Sequence, residues 1–452
     1  MKKVAFHNLG CKVNSYELDG ISQMFQKRGY EIVDFAQNAD IYIVNTCTVT
    51  NIADHKSRQM LNRAKAQNPD AIVVAAGCFV QTAPDAAELP SVDIAVGNNH
   101  KADIVDIVED YIRNSAGSGP SEDKTGTSYV SDLGEGCGYE EMSVDHTAGH
   151  TRAYMKIQDG CNQFCSYCAI PLARGRVRSR DMSDIAAEAE RLAANGYKEI
   201  VVTGIHISSY GLDSAYNAFT DAGGTNKALL DAIRTIACTE GIERVRLGSL
   251  EPRLLTDEFI ASLTDIKGLC PHFHLSLQSG SDSVLKRMKR HYSTKEYAEK
   301  VKKLRGAFEH PAITTDIIVG FPGETDDEFA ATRNFLKECE LYECHIFKYS
   351  RRRGTAADAM NGQITEAVKS ERAQMLSGDS QARKRAFMEY YRGKQVEVLT
   401  EDTTQLDGRE VTCGFTPEYV KVSMPPCEGG MITQILCFEY FCDTMFGKCV
   451  DR

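Results

Sequence analysis

The sequence lacks several features that would place it in particular classes of protein. Its 452 residues include no tryptophan and no run of about 18 apolar residues that could cross a bilayer. The first residues lead directly into a strand pattern without the apolar segment of a secretion signal, so we expect a cytoplasmic protein. Basic residues are too few for a chain that binds nucleic acid through bulk charge, because 63 acidic residues outnumber 52 basic ones. A local basic face is still compatible with this balance.

Cysteine, in contrast, is abundant, with 16 residues in the chain. A reducing cytoplasm disfavours a disulfide framework, so patterned thiols indicate metal ions, clusters or catalysis. Six of the cysteines fall into the two groups described below. We expect the other ten to be inert thiols in the protein core.

The periodicity of the sequence changes three times and predicts an α/β multidomain fold. Residues 1–113 alternate strand and helix in a βαβ pattern, which is typical of a parallel sheet. Residues 114–150 contain seven glycines and seven acidic residues but one lysine, and are expected to be a linker. In residues 151–388, six expected strands alternate with helices and predict a (βα)6 partial TIM barrel. Short strands and turn residues in 389–452 predict a small antiparallel β-barrel.

The most specific motif is Cys161-x3-Cys165-x2-Cys168, here called the barrel triad, which follows the first expected barrel strand. Three thiolates in eight residues can bind three irons of a cubane cluster and leave the fourth iron open to a ligand. The end of a barrel strand is also where a barrel active site lies. The alternative is a zinc loop or three buried thiols. A structural zinc site takes four ligands, however, and no fourth Cys or His lies nearby in the sequence.

A second group, here called the N-terminal triad, consists of Cys11, Cys47 and Cys78. Each follows an expected parallel strand, at intervals of 36 and 31 residues, about one βαβ repeat each. Parallel strands end at the same edge of a sheet, so the three thiols are expected to converge there. Gly10 and Gly77 would let the backbone approach a cluster closely. The alternative is three buried cysteines that act as small hydrophobic residues.

With these motifs the chain resembles the radical S-adenosylmethionine (SAM) enzymes, and among them the methylthiotransferases. The resemblance covers nearly the whole chain, including a tail similar to a TRAM domain. Leu-Gly-Cys-Lys-Val-Asn at 9–14, Asn-Thr-Cys-Thr-Val-Thr at 45–50 and the arginine-rich segment 173–180 are similar to the MtaB branch. The isopentenyladenosine branch typically has Cys-Gln-Met-Asn at the first of these places, and the ribosomal-protein branch has Cys-Pro-Lys-Asn.

The resemblance implies two [4Fe-4S] clusters and SAM. The cluster on the barrel triad would bind SAM and cleave it to a 5′-deoxyadenosyl radical, and the cluster on the N-terminal triad would carry the sulfur that is methylated and inserted. The implied substrate is N6-threonylcarbamoyladenosine at position 37 of tRNA, whose C2 hydrogen is replaced by a methylthio group. The implied partners are tRNA, an external electron donor and a sulfur source, with neither DNA nor a membrane.

Further SAM contacts are expected at the ends of barrel strands and beside the barrel triad. The candidates are Tyr167, Gly204, Ser249, Glu251, Gln278 and Gly320. The alternative for the strand-end positions is an ordinary turn.

Basic residues directly after the barrel triad are predicted to contact RNA phosphates. They are Arg174, Arg176, Arg178 and Arg180. A second basic run at 286–303 has the same functional interpretation, with a solvated helix face as its alternative. The tail from 389 to 452 holds six basic and eleven acidic residues, a poor balance for phosphate binding.

Two other functions remain as alternatives. The first is a methylthiotransferase that acts on isopentenyladenosine in tRNA or on a ribosomal protein, and Cys11-Lys12-Val13-Asn14 counts against the ribosomal substrate. The second is a non-enzymatic RNA-binding protein with an Fe–S cluster or zinc. It would leave the open-iron triad and the barrel unexplained.

Overall fold

The structure, a computed structural model, describes residues 1–83, 85–115, 126–134, 137–213 and 225–450. These residues form a parallel α/β sheet, a partial barrel with outer helices, and a small closed β-barrel, in that order along the chain. The predicted α/β multidomain class is confirmed. Among the described residues, no helix combines the length and the apolar character that a membrane span requires.

The described residues of the first region form six strands and four α-helices. In chain order they are β1 (Lys3–Asn8), α1 (Lys12–Lys27), β2 (Glu31–Val33), β3 (Ile41–Thr46), α2 (Asn51–Gln67), β4 (Ile72–Gly77), α3 (Cys78–Thr82), β5 (Ile94–Val96), α4 (Ile104–Ser115) and β6 (Thr127–Tyr129). The strands form one parallel sheet in the order β2-β1-β3-β4-β5-β6. The predicted βαβαβ unit is the centre of this sheet, whereas the short strands β2, β5 and β6 were not predicted.

Strand β3 shows why this sheet is parallel and covered on both faces. All six of its residues are buried. Ile41 and Ile43 belong to the hydrophobic core on one face, and Tyr42 and Val44 belong to the core on the other. Continuous apolar strands with helices on both faces are typical of parallel sheets.

The predicted linker is partly built into the fold. Strand β6 extends the first sheet by pairing with β5. Met142 and Val144 are buried in the core beneath α1. The Tyr16 hydroxyl donates a hydrogen bond to the Met142 carbonyl at 2.5 Å. The described residues of 114–150 therefore join the first region to the second, although the domain boundaries themselves stay a prediction.

The second region is the partial barrel. Its elements are β7 (Ala153–Asp159), α5 (Ile170–Arg174), β8 (Arg178–Ser179), α6 (Met182–Ala194), β9 (Glu199–Gly204), α7 (Lys227–Ala237), β10 (Arg244–Leu247), α8 (Asp257–Thr264), β11 (His272–His274), α9 (Asp282–Arg287), α10 (Thr294–Ala307), β12 (Ala312–Val319), α11 (Asp326–Cys339), β13 (Glu343–Lys348) and α12 (Glu366–Glu389). Six strands are parallel, in two sheets that isolated bridges connect between β10 and β11. These are the six strands that the sequence predicts, although β11 is shorter than expected.

The tail is a closed five-stranded barrel. Its strands are β14 (Gln395–Leu406), β15 (Arg409–Phe415), β16 (Lys421–Met424), β17 (Ile432–Phe441) and β18 (Thr444–Cys449), in the order β14-β15-β16-β18-β17. All pairs are antiparallel except β16 with β18. The sequence predicts the first four strands and misses β18.

The tail packs against the end of the partial barrel where β7, β9 and β10 begin. Arg244 binds Glu397 at 2.7 Å, and Arg152 binds Glu401 at 2.8 Å. Arg246 donates a hydrogen bond to the Pro417 carbonyl at 2.7 Å. The acidic surplus of the tail is therefore used in part to pair with arginines of the barrel.

Tyr419 lies at the centre of this contact. It has a positive φ of 68° and stacks on Phe415 at 4.5 Å between ring centroids. The guanidinium groups of Arg152 and Arg246 lie 4.9 and 4.8 Å from its ring centroid, and the His272 ring lies 5.0 Å away. Cation–π contacts to two arginines, of about 0.5–2 kcal/mol each, make this residue a principal anchor of the tail.

Replacing this anchor is expected to loosen the tail. We expect Tyr419→Ala to lower the free energy of unfolding by about 2 kcal/mol because it removes both cation–π contacts and the stacked ring. Phe438→Ala is the control, because Phe438 is an exposed aromatic residue whose ring contacts Phe446 within the tail. Chemical denaturation and limited proteolysis between α12 and β14 measure the effect, and equal behaviour of the two variants would contradict this role.

Candidate active site

The N-terminal triad lies at one edge of the first sheet. Cys11 directly precedes α1, Cys47 follows β3, and Cys78 begins α3 immediately after β4. Strands β1, β3 and β4 are adjacent and parallel, so their carboxyl ends meet there. As the strand pattern predicts, the three cysteines come together.

Two glycines permit the close packing of these loops. Gly10 has a φ of +112°, and a Cβ atom there would lie 3.1 Å from the Cys47 sulfur. Gly77 has a φ of +100°, and its Cβ would lie 2.6 Å from Asn45 Oδ1. Both positions combine a left-handed backbone with a close approach, so a larger residue would displace the triad.

The thiols of the N-terminal triad are largely desolvated. Burial, together with the neighbouring Cys78 and Cys11, raises the pKa of Cys47 to about 11. Cys11 is accessible to water but surrounded by protein on most sides, and this desolvation, together with Cys78, raises its pKa. Iron binds thiolates, so loading a cluster here would release protons.

The barrel triad occupies the loop between β7 and α5. The Cys161 amide donates to the Gly175 carbonyl at 3.1 Å, and the Cys168 amide donates to the Cys165 carbonyl at 3.0 Å. Burial, followed by the neighbouring thiols, raises the pKa of Cys168 to about 12 and shifts that of Cys161 in the same direction. The loop is thus a compact turn that carries three thiols at the carboxyl end of the first barrel strand.

Each triad supplies three thiol donors, the number that binds three irons of a cubane. Among the residues that the structure describes, no three His, Cys, Asp or Glu side chains are close enough to hold one metal ion. In a cubane each thiolate binds a different iron, so the three sulfurs form a wider triangle than the ligands of one ion. Three thiols without a fourth ligand also leave one iron open.

Arg290 contacts the barrel triad directly. Its NH1 lies 3.2 Å from the Cys165 sulfur, its NH2 donates to Glu251 at 2.9 Å, and its Nε donates to the Tyr292 hydroxyl at 2.9 Å. Burial would raise the pKa of Glu251, but Arg290, His206 and Arg253 hold it well below its ordinary value. Sequence reasoning missed this role because Cys165 and Glu251 are 125 and 39 residues away from Arg290.

Arg174 connects the two triads. It is fully buried, and its Nε lies 3.3 Å from the Cys78 sulfur. Its NH1 binds Glu17 at 2.5 Å and Asp159 at 3.1 Å, and its NH2 donates to Asn14 at 2.7 Å. A side chain from the barrel loop therefore contacts a cysteine of the first sheet.

Arg174 belongs to a buried ion cluster, here called the junction network, of Glu17, Lys101, Lys156, Asp159 and Arg174. Glu17 also pairs with Lys101 and with Lys156, the latter at 2.8 Å, and Lys156 binds Asp159 at 2.7 Å. Although burial alone would raise the pKa of Glu17, these cations hold it well below its ordinary value. The network ties α1, the segment before α4, strand β7 and helix α5 together.

The arginines predicted to contact RNA are mostly inside the protein. Arg180 is buried and pairs with Glu141 and with Glu188, the latter at 3.0 Å. Arg178 is also buried and lies 3.6 Å from Asp159. With Arg174 in the junction network, three of the four guanidinium groups are paired in the interior and do not face phosphates. This corrects the expected surface location.

Arg176 differs from its neighbours because it is half-exposed. Its guanidinium lies 4.5 Å above the ring centroid of Phe164, an exposed residue of the barrel-triad loop. It is the one arginine of the predicted group that is not buried, although its NH1 atom is shielded from water.

One cavity of about 290 Å³, here called the shared cavity, lies between the first sheet and the barrel. Residues 48–50, which follow Cys47, line one side of it, and residues 167–170, which include Cys168, line another. Gln278, with a φ of +75°, and Phe347 complete its barrel wall. Loops from both triads therefore border the same space.

The six residues predicted to contact SAM differ in their surroundings. Tyr167 and Gln278 line the shared cavity, whereas Gly204, Ser249, Glu251 and Gly320 are not part of its lining. Both carboxylate oxygens of Glu251 are occupied by arginines. A Cβ at Gly320 would lie 2.3 Å from Lys369 Cγ, so packing against α12 is one reason for a glycine there.

Two protein-family models match parts of this chain. The radical SAM superfamily model matches residues 155–336, and the model of uncharacterized protein family UPF0004 matches residues 3–97. The first covers most of the partial barrel and the second covers the N-terminal triad.

Two relatives show how far the similarity extends. The threonylcarbamoyladenosine tRNA methylthiotransferase MtaB of Bacillus subtilis strain 168 is 41% identical over 93% of this chain and 90% of the relative. The tRNA-2-methylthio-N(6)-dimethylallyladenosine synthase of Clostridium botulinum strain Hall is 34% identical over 88% of this chain and 86% of the relative.

Among solved structures, the radical SAM methyltransferase TsrM of Kitasatospora setae is similar in fold. It superimposes with a TM-score of 0.56 over 79% of this chain and 77% of that chain, at 18% identity.

Removing the charge of Arg174 tests its structural role. We expect Arg174→Met to lower the free energy of unfolding by about 3 kcal/mol or more, because it leaves buried Glu17 and Asp159 short of a cation. Arg176→Met, at the half-exposed position, is expected to change it by less than about 1 kcal/mol. Urea denaturation measures both values. A stable Arg174→Met protein with reduced tRNA affinity would instead favour a direct role in RNA binding.

Proposed function

Because the chain belongs to the methylthiotransferase family of radical SAM enzymes, we propose that it converts N6-threonylcarbamoyladenosine at position 37 of tRNA to the 2-methylthio derivative. The radical SAM fold implies one [4Fe-4S] cluster and SAM as cofactors. With a tRNA substrate, we propose that the protein works in the cytoplasm, with an external electron donor and a source of sulfur.

The observation that carries this proposal is the shared cavity, which loops from both triads border. The C2–H bond of an adenine offers neither an acidic proton nor a leaving group, so acid–base side chains alone cannot replace this hydrogen with sulfur. Such chemistry belongs to cofactors, and the protein supplies orientation and shielding. A single cavity bordered by loops of both triads would let one adenine meet the radical source and the sulfur donor.

The barrel triad would hold the cluster that, when bound, supplies reductive cleavage of SAM. Arg290 orients Cys165 through its contact with the sulfur and is itself held by Glu251. We therefore assign Glu251 the role of positioning Arg290 rather than binding ribose. Tyr167 and Gln278 remain candidate SAM contacts in the cavity wall, and Gly204, Ser249 and Gly320 remain candidates at the strand ends.

A second cluster on the N-terminal triad is supported by the charge balance of the junction network. With Arg178 included, four buried cations face the two carboxylates of Glu17 and Asp159. The half-buried Glu140 interacts electrostatically with Lys156 and Lys101. When its carboxylate is counted, the four cations still outnumber the three carboxylates. Buried charges are normally paired. An iron-bound Cys78 thiolate beside Arg174 would supply negative charge at this position.

The competing substrate within the family is N6-isopentenyladenosine. Two features favour the threonylcarbamoyl substrate: the higher identity to the relative named for it, 41% against 34%, and the Cys11-Lys12-Val13-Asn14 segment. A non-enzymatic Fe–S or zinc RNA-binding protein is not favoured, because it would leave the radical SAM barrel without a role. We also propose that Arg176 and the TRAM-like tail contact RNA. The proposed domain limits are 1–113, 114–150, 151–388 and 389–452.

Nucleoside analysis tests the substrate directly. A strain without this gene is expected to lose 2-methylthio-N6-threonylcarbamoyladenosine from its tRNA and to accumulate the unthiolated precursor. Wild-type protein should restore the product, whereas Cys165→Ala should not, because the barrel triad loses one ligand. Liquid chromatography with mass spectrometry of digested tRNA measures both nucleosides. Loss of the isopentenyl-type product instead would redirect the assignment within the family.

Iron content tests the two-cluster assignment independently of activity. Anaerobically reconstituted protein is expected to bind about eight irons per chain. Replacing either whole triad by alanine should leave about four, because each triad holds one cubane. Iron and sulfide analysis give these counts, and thermal melting checks that both variants are folded. A wild-type chain with about four irons would restrict the proposal to one cluster.

A further inference from the structure

A second pocket lies on the other side of the barrel-triad loop. This outer pocket has a volume of about 650 Å³, and residues 162–164 of the loop form one wall. The opposite wall comes from the end of α9 and the start of α10, including Lys286, Lys289, Arg290 and His291. The outer pocket is separate from the shared cavity, which the same loop borders with residues 167–170.

The loop therefore acts as a thin wall between two spaces. Phe164, which lines the outer pocket, is the chain neighbour of Cys165. Arg290 also lines the outer pocket while its NH1 lies 3.2 Å from the Cys165 sulfur. A cluster on the barrel triad would be within one residue of the protein surface on this side.

The lining of the outer pocket holds three cationic side chains, Lys286, Lys289 and Arg290, and two carboxylates, whereas the whole chain has a net charge of −11. Lys286 and Lys289 are exposed, and among the described residues no carboxylate lies within ion-pair distance of either. His291 is also exposed. Lys286 and Lys289 therefore present unpaired positive charge next to the barrel-triad loop, whereas burial and Arg253 lower the pKa of His291.

The two acidic residues of the pocket are engaged in local hydrogen bonds. Asp282 accepts from the Thr294 amide at 2.7 Å, and Glu296 accepts from the Ser293 amide at 2.7 Å in a helix capping box. These hydrogen bonds do not remove the negative charge of the two carboxylates, but neither carboxylate lies within ion-pair distance of Lys286 or Lys289.

Aromatic surface accompanies this charge. Phe164 is 37% exposed, and the Arg176 guanidinium lies over its ring. Arg253 donates to Gln163 at 3.0 Å from the neighbouring strand-end loop. This combination of an exposed aromatic residue, arginine and a basic rim is typical of a protein interface rather than of a solvated helix face.

We propose that the outer pocket is the docking surface for an acidic protein that carries single electrons and reduces the cluster of the barrel triad. This inference rests on the proposed function, since that chemistry consumes an electron from outside the chain. At the surface the carrier is oxidised by one electron and the cluster is reduced by one. No bond forms or breaks there, so proximity and charge complementarity are sufficient.

The alternative occupant of the surface is tRNA phosphate. The adenine to be modified has to reach the shared cavity, which the loop separates from the outer pocket. The position of Lys286 and Lys289 directly outside Cys165 therefore favours the electron carrier. Binding of tRNA here is an outcome that the experiment distinguishes.

Charge reversal with a matched control tests the proposal. The test variant is Lys286→Glu with Lys289→Glu. The control is Lys267→Glu with Lys337→Glu. Both lysines are exposed, and among the described residues no carboxylate lies within ion-pair distance of either. They precede β11 and β13, at the strand ends that are remote from the barrel triad. Both double variants change the net charge by the same amount, so long-range repulsion of an acidic partner is matched.

Binding of a purified acidic flavodoxin is measured by calorimetry at low salt, with protein both with and without its clusters. We expect the test variant to raise the Kd by about tenfold, and the control by less than about twofold. The difference should diminish with added salt, because exposed charges are screened. In stopped-flow experiments, cluster reduction by reduced flavodoxin should slow by about tenfold, whereas reduction by dithionite should be unchanged.

Three results would overturn the proposal. The first is that the test and control variants have equal effects. The second is that the test variant loses tRNA affinity but still binds flavodoxin. The third is that the wild type binds neither flavodoxin nor an acidic ferredoxin. The proposed function is judged separately, by product formation with dithionite as reductant. Absence of product with dithionite counts against the methylthiotransferase assignment, whereas the docking surface is judged by calorimetry and by the rate of cluster reduction by flavodoxin.

Discussion

The relative placement of the two triads depends on the junction network. Glu17 lies in α1, which begins next to Cys11, and Asp159 ends β7, two residues before Cys161. Arg174 pairs with both and also contacts the Cys78 sulfur. Desolvating these charges is costly, and the cost is offset only when every partner is in place. The network therefore selects one arrangement of sheet and barrel, and with it one distance between the triads.

Much of the site could be predicted because it follows from regular topology. Cys11, Cys47 and Cys78 are separated by about one βαβ repeat each, and parallel pairing then brings their loops to one edge. The barrel strand before Cys161 was predictable for the same reason. In both cases the relevant information is local: a strand pattern followed by a thiol.

The arginines after the barrel triad show what such patterns do not contain. Arg174, Arg178 and Arg180 look like a basic surface in the sequence, yet they are buried because acidic partners arrive from elsewhere. Glu17 is 157 residues from Arg174, and no local signal connects them. Arg290 was hidden in the same way within a lysine-rich run. A count of charges gives composition, whereas burial depends on tertiary contacts that the count does not include.

The contact between Arg174 and Cys78 also has a consequence for biosynthesis. The two residues are 96 positions apart, so the ribosome completes the N-terminal triad long before it adds the guanidinium that covers Cys78. During that interval Glu17 lacks two of its three cations, Lys156 and Arg174. The N-terminal sheet can fold early, but the edge that holds its three cysteines stays uncovered until the first barrel strand and α5 have been synthesised. If the proposed second cluster forms there, the order of translation would leave its cysteines accessible before Arg174 covers Cys78.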